Sequence, residues 1–168
     1  MAEKAASTKC ALVVIANGFE EMEFVSVLSV LRRAGLLVKS IGLTSGLVNS
    51  AHGIRVMPDL QPAELEQLAK SGGVGTVILP GGEKNLAKME TDPRVHVLLR
   101  QVVAEQGQIA VTFEGRRILR AAAVGEDQAA GASQEDHVFL GEPGQTPEAF
   151  AQELVHWLAQ PEHARGGL

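Results

Sequence analysis

Residues 11–23, which read ALVVIANGFEEME, join a short apolar run to the beginning of a helical segment. The apolar part, residues 11–16, has the length of a buried strand, and a segment with helical periodicity follows from residue 21 to residue 34. Acidic residues at the start of that segment favour a helix N-terminus, because the helix dipole attracts negative charge there. The stretch therefore predicts a strand followed closely by a helix, as in a βαβ unit.

The same alternation of strand-length apolar runs and helix-period segments continues along the chain. Further strands are predicted at 37–42, 74–79 and 109–113, and further helices at 65–69, 95–103 and 118–123. Strands that alternate with helices are typical of a parallel sheet covered by helices. Residues 47–49 and 54–57, which are separated by a Ser-Ala-His-Gly turn, predict a small β-hairpin at the edge of that sheet.

Helix-start signals mark two of the helices. Asp92 followed by Pro93 is such a signal, and the apolar residues after it form a single stripe. Thr146 and Pro147 open another helix near the end of the chain. Its apolar face carries Phe150, Leu154, Trp157 and Leu158. We expect this last helix to pack on the sheet.

The composition fits one domain. With 168 residues, 45% of them hydrophobic and 21% charged, the chain can bury a single core. We predict one domain over residues 1–168, with an ordered core at about 9–160 and a flexible tail at 161–168. The formal charge is −5, from 15 basic and 20 acidic residues, so the chain lacks the positive charge that a nucleic-acid partner requires.

Cys10 is the only cysteine of the chain. A single cysteine excludes an intramolecular disulfide and a multi-thiolate zinc site, and it favours a reducing compartment. No apolar core precedes Cys10, and the longest apolar runs fall far short of the roughly 20 residues of a membrane span. The sequence therefore predicts a cytoplasmic protein that does not enter a membrane. Cys10 itself is interpreted as a small buried hydrophobe.

The helix predicted at 21–34 is apolar around nearly its whole circumference. Its apolar residues are Met22, Phe24, Val25, Val27, Leu28, Val30 and Leu31. Such a helix has to be covered on two sides, and the sheet supplies one of them. A second copy of the protein is the simplest cover for the other side, so we predict a homodimer through this helix. A central helix buried within one domain is the alternative.

Three segments together resemble the ThiJ/PfpI family, which belongs with the class I glutamine amidotransferase-like folds. They are residues 11–23, residues 77–82 (VILPGG) and residues 109–115 (IAVTFEG). The resemblance extends over about 10–125 and more loosely over 138–160. It implies an α/β fold of the flavodoxin-like type, with a doubly wound parallel sheet in a three-layer sandwich.

The resemblance also implies where a family active site would lie. In such proteins the strand corresponding to 109–113 ends in a nucleophilic cysteine at a sharp turn, where the following helix lowers the thiol pKa. By motif position, the glutamate that contacts the sulfur is Glu23, and the amides that hold an oxyanion belong to Gly81 and Gly82. Phe113 stands where the cysteine is expected, and a phenyl ring cannot act as a nucleophile.

Neither Cys10 nor a histidine is expected to restore the chemistry. Cys10 begins the first strand, whereas sites on this fold lie at the carboxyl ends of strands. Family members usually carry a histidine or other polar partner in extra strands after the elbow helix, but only residues 125–136 connect that helix to the next strand here. His137 lies at the beginning of a strand, which is the wrong end. The other histidines are predicted in the hairpin, on helices and in the tail: His52, His96, His156 and His163.

Charged residues follow the predicted elbow, where the family tends to have small or apolar ones. They are Glu114, Arg116, Arg117 and Arg120. One interpretation is ordinary helix capping and surface charge. The other is that Glu23, without a sulfur to contact, forms an ion pair with one of these arginines. Phe113 is expected either to relax the strained elbow or to plug the former pocket with its ring.

The sequence does not support a metal or a cofactor. Glu20, Glu21 and Glu23 are clustered carboxylates at a helix start, and the helix dipole alone explains them. Gly81 and Gly82 resemble an anion-binding turn, but the longer phosphate-loop pattern is missing. Nucleotide binding is therefore not predicted.

These observations predict a non-catalytic family member, a pseudoenzyme, that acts as a homodimer with a binding, regulatory or structural role. The vestigial family site would contain Glu23, Gly81, Gly82, Phe113 and Glu114, and any small-molecule ligand is left open. The alternative is a glyoxalase, deglycase or peptidase-like hydrolase in which a buried Glu23 acts as general base without a cysteine. A third interpretation is a subunit that pairs with an intact paralogue.

Overall fold

A five-stranded parallel sheet forms the centre of the molecule. The computed structural model describes residues 9–124 and 137–160, so the predicted tail at 161–168 and the connection at 125–136 lie outside the described residues. The sheet strands are β1 (Cys10–Ile15), β2 (Val38–Gly42), β5 (Val74–Leu79), β6 (Gln108–Val111) and β7 (Val138–Leu140). Their spatial order is β2-β1-β5-β6-β7, and all neighbours are parallel. This is the flavodoxin-like order with its switch next to β1, which confirms the predicted fold class.

Helices cover both faces of the sheet. They are α1 (Glu21–Arg33), α2 (Ala63–Ser71), α3 (Glu83–Thr91), α4 (Pro93–Ala104), α5 (Arg116–Ala121) and α6 (Pro147–Leu158). One hydrophobic core lies between the sheet and α1 with α6, and the other lies between the sheet and the remaining four helices. The fold is therefore a three-layer sandwich. Among these helices, none has both the length and the hydropathy that crossing a bilayer requires.

The apolar runs of the sequence correspond to strands that are buried on both faces. In β1, Leu12 and Val14 contribute to the core under α2–α5, whereas Val13 and Ile15 contribute to the core under α1 and α6. All four side chains are fully buried. A strand covered on both sides contains consecutive apolar residues rather than alternating ones, and this explains the pattern at 11–16.

Both predicted helix starts are confirmed by their caps. Asp92 accepts a hydrogen bond from the Arg94 backbone N–H at 3.0 Å, and Pro93 is the first residue of α4. The Thr146 hydroxyl accepts the Ala149 N–H at 3.2 Å at the start of α6. Each cap satisfies a backbone donor that has no partner within its helix. The prediction missed α3, which begins after Gly82.

The predicted hairpin is formed, but its position differs from the expected one. Its strands, β3 (Val48–Asn49) and β4 (Arg55–Val56), make a separate two-stranded sheet instead of extending the edge of the central one. The hairpin pairs with the loop after β1: Gly18 donates to the Asn49 carbonyl, and Ala51 donates to the Phe19 carbonyl. The hairpin is therefore attached beside the N-terminus of α1.

Helix α1 has a buried side and an exposed side. Phe24, Val27 and Leu31 are at most 3% exposed and pack into the core that α1 shares with α6. None of these three faces outward, which the sequence left open. Met22 and Val25 are the exposed apolar residues of the helix, at 61% and 56%. The alternative of a helix fully buried within one domain does not describe α1 in the described part of the chain, where Met22 and Val25 are exposed.

Candidate functional site

Three loops meet at the carboxyl ends of the central strands. The first turn of α1, after β1, carries Glu23, the loop after β5 carries Gly81, and Phe113 follows β6. Carboxyl ends of neighbouring parallel strands lie at one edge of a sheet, where doubly wound proteins bind their ligands. The structure thus brings Glu23, Gly81 and Phe113, distant in sequence, to one region of this edge.

Glu23 is held against the loop after β5. Its Oε2 accepts a hydrogen bond from the Gly81 backbone N–H at 2.5 Å. A Cβ atom at position 81 would lie only 2.7 Å from the same oxygen. Glycine at this position is therefore what lets the carboxylate approach the backbone. The Glu20 carboxylate, which is the N-cap of α1, accepts the Glu23 N–H at 2.8 Å and fixes the first turn of the helix.

The environment of Glu23 favours its neutral form. Burial raises the pKa of this carboxyl above its usual value, and the negative charges of Glu20 and Glu114 raise it further. The hydrogen bond from Gly81 acts in the opposite direction and does not outweigh them. Partial burial and two neighbouring carboxylates thus make Glu23 easier to protonate than an ordinary glutamate side chain.

Gly82 allows the loops after β1 and β5 to cross in close contact. Its φ is +103°, a conformation that L side chains rarely adopt, and a Cβ atom there would collide with the Gly18 carbonyl oxygen. The Glu20 N–H also donates to the Gly81 carbonyl at 3.0 Å. The two glycines are thus required by packing, and the oxyanion role suggested for their amides is not needed to explain them.

Asn85 is a positioning residue that the sequence analysis missed. Its side chain is fully buried. The Nδ2 group donates to the carbonyls of Pro80 and Gly81 at 2.8 and 3.1 Å, while Oδ1 accepts the Ala16 N–H at 2.7 Å. The amide therefore fixes the loop after β5 to the end of β1. The available signal was an asparagine among the first residues after two glycines, but α3 itself had not been predicted.

The backbone around Phe113 is relaxed. Strand β6 ends at Val111, two residues earlier than predicted, and residues 113–115 form a turn of 3₁₀ helix that leads into α5. The non-glycine residues with left-handed φ among those described are Gln106 and Ala123, so Phe113 does not have the strained elbow conformation. The Phe113 ring is half-buried, and the guanidinium of Arg116 lies 3.8 Å from its centroid. Of the two expected outcomes, relaxation is the one observed.

A cleft of about 300 Å³ remains beside Phe113. It is lined by Glu23, by residues 112–114 after β6, and by residues 141–145 with Pro147 and Phe150. The ring of Phe113 forms a wall and does not fill the space, so the plug hypothesis is wrong. The loop 141–145 is a second feature that the sequence analysis missed, although its Gly-Glu-Pro-Gly sequence is a strong turn signal.

The predicted arginine partner of Glu23 is not found. Arg117 pairs with Glu83 at 3.3 Å and with Glu90 at 3.1 Å, on the side of α3. Arg116 stacks on Phe113 instead. The groups that shift the pKa of Glu23 include no cation, so, within the described part of the chain, Glu23 has no compensating positive charge.

The described histidine and cysteine side chains lie away from the cleft. His137, at the start of β7, contacts the Gly107 carbonyl at 2.9 Å, and His52 contacts the Glu21 carboxylate at 2.8 Å. His96 and His156 are on α4 and α6 as predicted, and His163 lies outside the described residues. Cys10 is buried at the start of β1, and burial raises the pKa of its thiol. The cleft thus has no thiol or imidazole among its described lining residues.

The three carboxylates at the start of α1 have different roles. Glu20, Glu21 and His52 offer potential metal-ligand atoms within 4.8 Å of one another, whereas Glu23 is not part of this group. Glu20 caps the helix and Glu21 pairs with His52. The three neighbouring glutamates therefore do not converge on one point, as a shared metal site would require.

The comparisons with known proteins agree with this architecture. The profile of the DJ-1/PfpI family matches residues 9–140, which is well over half of the chain. The chain belongs to the DJ-1/PfpI family. The resemblance stated from the three sequence segments is thereby confirmed.

Curated DJ-1 relatives match the chain over part of their length. The chain is 35% identical over 114 residues to the Danio rerio Parkinson disease protein 7 homolog, covering 67% of this chain and 59% of that protein. It is 37% identical over 113 residues to the Drosophila melanogaster protein dj-1beta, covering 67% of this chain and 58% of that protein. The match thus spans less than two thirds of either relative.

Solved DJ-1 structures have the same fold. The crystal structure of Drosophila melanogaster DJ-1beta is similar with a TM-score of 0.76 at 26% sequence identity, over 95% of each chain. Oxidized Toxoplasma gondii DJ-1 gives a TM-score of 0.74 at 19% identity, over 94% of each chain. At the lower identity the likeness concerns the fold alone, and it extends to nearly the whole of both chains.

Proposed function

We propose that this DJ-1/PfpI chain is a pseudoenzyme, a non-catalytic homodimer that binds a small molecule in the cleft beside Glu23. The observation that carries the proposal is the position of Phe113. It follows β6 and lines the cleft together with Glu23, where the family resemblance expects the nucleophilic cysteine. Cys10, the only thiol, is buried at the opposite end of the sheet. The covalent step then has no nucleophile.

The cleft itself supports a binding role. It retains a volume of about 300 Å³, the lower end of the range for small-molecule sites. Two hydrogen bonds join distant segments around it, from the Gly81 N–H to Glu23 and from the Ala16 N–H to Asn85, and Glu20 caps the first turn of α1. A preformed cleft with fixed walls supports the proposal that the chain still binds a ligand although it lacks the catalytic nucleophile.

The homodimer is supported by the uncovered apolar face of α1. Met22 and Val25 are more than half exposed on this helix. In the hairpin attached beside its N-terminus, Ile54 and Met57 are 54% and 60% exposed. Neighbouring exposed apolar groups of this kind mark protein interaction sites. A second copy of the chain is the proposed partner, and an intact paralogue is the competing one.

The remaining parts of the proposal concern the setting of the protein. We propose one domain over residues 1–168 in the cytoplasm, because the single buried thiol suits a reducing compartment. The formal charge of −5 argues against a nucleic-acid partner. Fractionation of cells that express the tagged chain tests the location directly.

A turnover assay tests the absence of catalysis. The purified protein is expected to convert methylglyoxal to lactate no faster than a heat-inactivated sample. An intact DJ-1/PfpI enzyme assayed in parallel is the positive control. Turnover above the inactivated control that disappears in Glu23→Gln would contradict the pseudoenzyme proposal.

The competing function is a carboxylate-dependent hydrolase or lyase. It is favoured by the raised pKa of Glu23, since a partly buried carboxyl with a raised pKa is suited to general acid–base chemistry. The activity of such an enzyme should change with pH as Glu23 changes its protonation state. Thiol-blocking reagents should not inhibit it. A flat rate against pH, at the level of the inactivated control, would remove this candidate.

A further inference from the structure

A groove lies between α2 and α4, on the face of the sheet that α1 and α6 do not cover. Its volume is about 340 Å³, which is comparable with that of the cleft beside Phe113. Most of its lining is apolar and consists of Pro62, Ala63, Leu65, Ala69, Pro93 and Val97. The α2–α4 groove shares no described lining residue with the cleft, so it is a second concave site on the molecule.

Small side chains leave the α2–α4 groove unfilled. Ala63 and Ala69 contribute only a methyl group each from α2, and Pro93 begins α4 with a compact ring. Leu65 and Ala69 are buried members of the core under these helices, whereas Val97 is 52% exposed. The groove therefore continues the apolar surface of the core outwards to solvent.

The charged side chains of the groove already have partners. Among the described residues that line it, the charged ones are Glu66, Lys70 and Arg94. Lys70 pairs with Glu66 at 2.7 Å. Arg94 pairs with Asp92 at 2.7 Å and donates to the Leu43 carbonyl at 2.9 Å. An ionised ligand would thus lose hydration in the groove without gaining an unpaired opposite charge.

Charge complementarity and the apolar lining together define the kind of ligand. We propose that the α2–α4 groove binds a small uncharged apolar molecule, such as one with a bicyclic aromatic ring. The volume of about 340 Å³ corresponds to roughly eleven waters at about 30 Å³ each, which suits one or two fused rings. Removal of apolar surface from water would drive the binding, as in most small-molecule sites. This site is separate from the cleft, and the proposal does not depend on the proposed function.

Methyl NMR and calorimetry with three matched probes test the proposal. The probes are the neutral indole, the anionic indole-3-acetate and the cationic tryptamine. They are measured at physiological ionic strength, which screens the attraction between tryptamine and the net charge of −5. We expect indole to bind at least about tenfold more tightly than either ion, because neither charge gains a partner. Shift changes should centre on the methyl groups of Ala63, Leu65, Ala69 and Val97, and the Thr112 methyl in the cleft should not respond.

Two substitutions locate the binding. Ala63→Phe narrows the groove, and Val97→Glu adds an unpaired charge to its wall. Both positions are exposed, so the variants should fold normally, which circular dichroism checks. Each should weaken indole binding by at least about fivefold. Ala121→Phe on α5 and Leu140→Glu on β7 are the matched controls, because both positions are exposed and lie outside the groove. Indole affinity should be unchanged in the controls.

Several outcomes would overturn the proposal. They are equal affinity for indole and the two ions, an affinity that the groove variants leave unchanged, and no indole binding at millimolar concentration. Shift changes confined to the cleft beside Phe113 would also overturn it. If protein concentration alone shifts the groove methyl signals, the groove is an interface between copies of the chain and not a ligand site. The proposed function is tested separately, by methylglyoxal turnover, whatever indole does.

Discussion

The Glu23 carboxylate accepts a hydrogen bond from the Gly81 backbone N–H at 2.5 Å, and a side chain at position 81 would have no space beside it. The contact joins the first turn of α1 to the loop after β5 across 58 residues of sequence. It fixes the position of the cleft carboxylate relative to the sheet.

Gly81→Ala should destabilise the protein because the new Cβ would meet Glu23 Oε2 at 2.7 Å. Overpacking of this kind costs about 1–3 kcal/mol in the free energy of unfolding. The cost should be smaller in a Glu23→Ala background, where the carboxylate is absent. Urea unfolding of the wild type, both single variants and the double variant measures the coupling. Additive effects would contradict the contact.

Glu23 should titrate above the ordinary glutamate value of 4.5, because burial and the charges of Glu20 and Glu114 oppose its ionisation. Carboxyl ¹³C NMR measures the midpoint. Glu114→Gln should lower the pKa of Glu23 by removing one repulsive charge, and Glu64→Gln should leave it unchanged. Since the folded pKa exceeds the unfolded one, ionisation of Glu23 makes folding less favourable as the pH rises through this window. A midpoint at or below the ordinary value would show that the Gly81 hydrogen bond dominates.

Val25→Glu should dissociate the proposed homodimer, because it would bury an unpaired charge in the interface. Analytical ultracentrifugation at micromolar concentration distinguishes dimer from monomer. Val97→Glu is the matched control: Val97 is 52% exposed on α4, which packs on the other face of the sheet. A dimer that persists in Val25→Glu, or a monomeric wild type, would remove α1 as the interface.

Asp92→Asn should make the free energy of unfolding less dependent on pH in the acidic range. The Arg94 guanidinium lowers the pKa of Asp92 to about 2, well below its ordinary value of 3.8. A lowered folded pKa stabilises the protein above pH 4, and this contribution is lost as the pH falls towards 2. The contribution is about 1–2 kcal/mol, allowing for the exposure of Arg94. Urea unfolding from pH 2.5 to 7 should show a shallower pH dependence in the variant, which keeps the cap through its amide oxygen.

Phe113→Cys should create a reactive thiol without creating an enzyme. Position 113 is half-buried beside the cleft, whereas Cys10 is buried in the sheet with a raised thiol pKa. A thiol reagent should therefore label the introduced thiol faster than Cys10, and the same substitution in a Cys10→Ser background distinguishes the two. Methylglyoxal turnover should stay at the inactivated control, because no histidine lines the described part of the cleft. Recovered turnover would mean that Phe113 alone separates this chain from an active enzyme.

The secondary structure was largely predictable because burial on both faces makes the strands of the sheet rich in apolar residues, most clearly in β1. The strand at 74–79 and the helix starting after Asp92 were located correctly from such signals. Helix α3 was missed because only Leu86 and Met89 mark its buried side with large apolar residues. The hairpin was found, but its attachment depends on backbone hydrogen bonds to Gly18 and Phe19 that no local pattern encodes.

The candidate site was only partly predictable. Glu23, Gly81 and Phe113 were selected through the family resemblance, and the structure brings them to one edge of the sheet. The arginine partner was wrong because α5 directs Arg117 towards α3 instead. The lining of the cleft includes Glu142, which comes from the loop before α6 and is 119 positions away from Glu23. Such convergence requires the tertiary structure.

The buried Asn85 amide makes the site depend on segments that are far apart in the chain. It joins Ala16 to Pro80 and Gly81, and the bond to Ala16 spans 69 residues. No fragment that ends before β5 can contain these contacts, so a ribosome-bound chain that has exposed only β1, α1 and β2 lacks the site. Closing a loop of that length carries an entropic cost that parallel pairing of β1 with β5 must first offset. The cleft therefore needs β1, β5, β6 and the loop before α6 in place together, and no N-terminal fragment of the chain can form it.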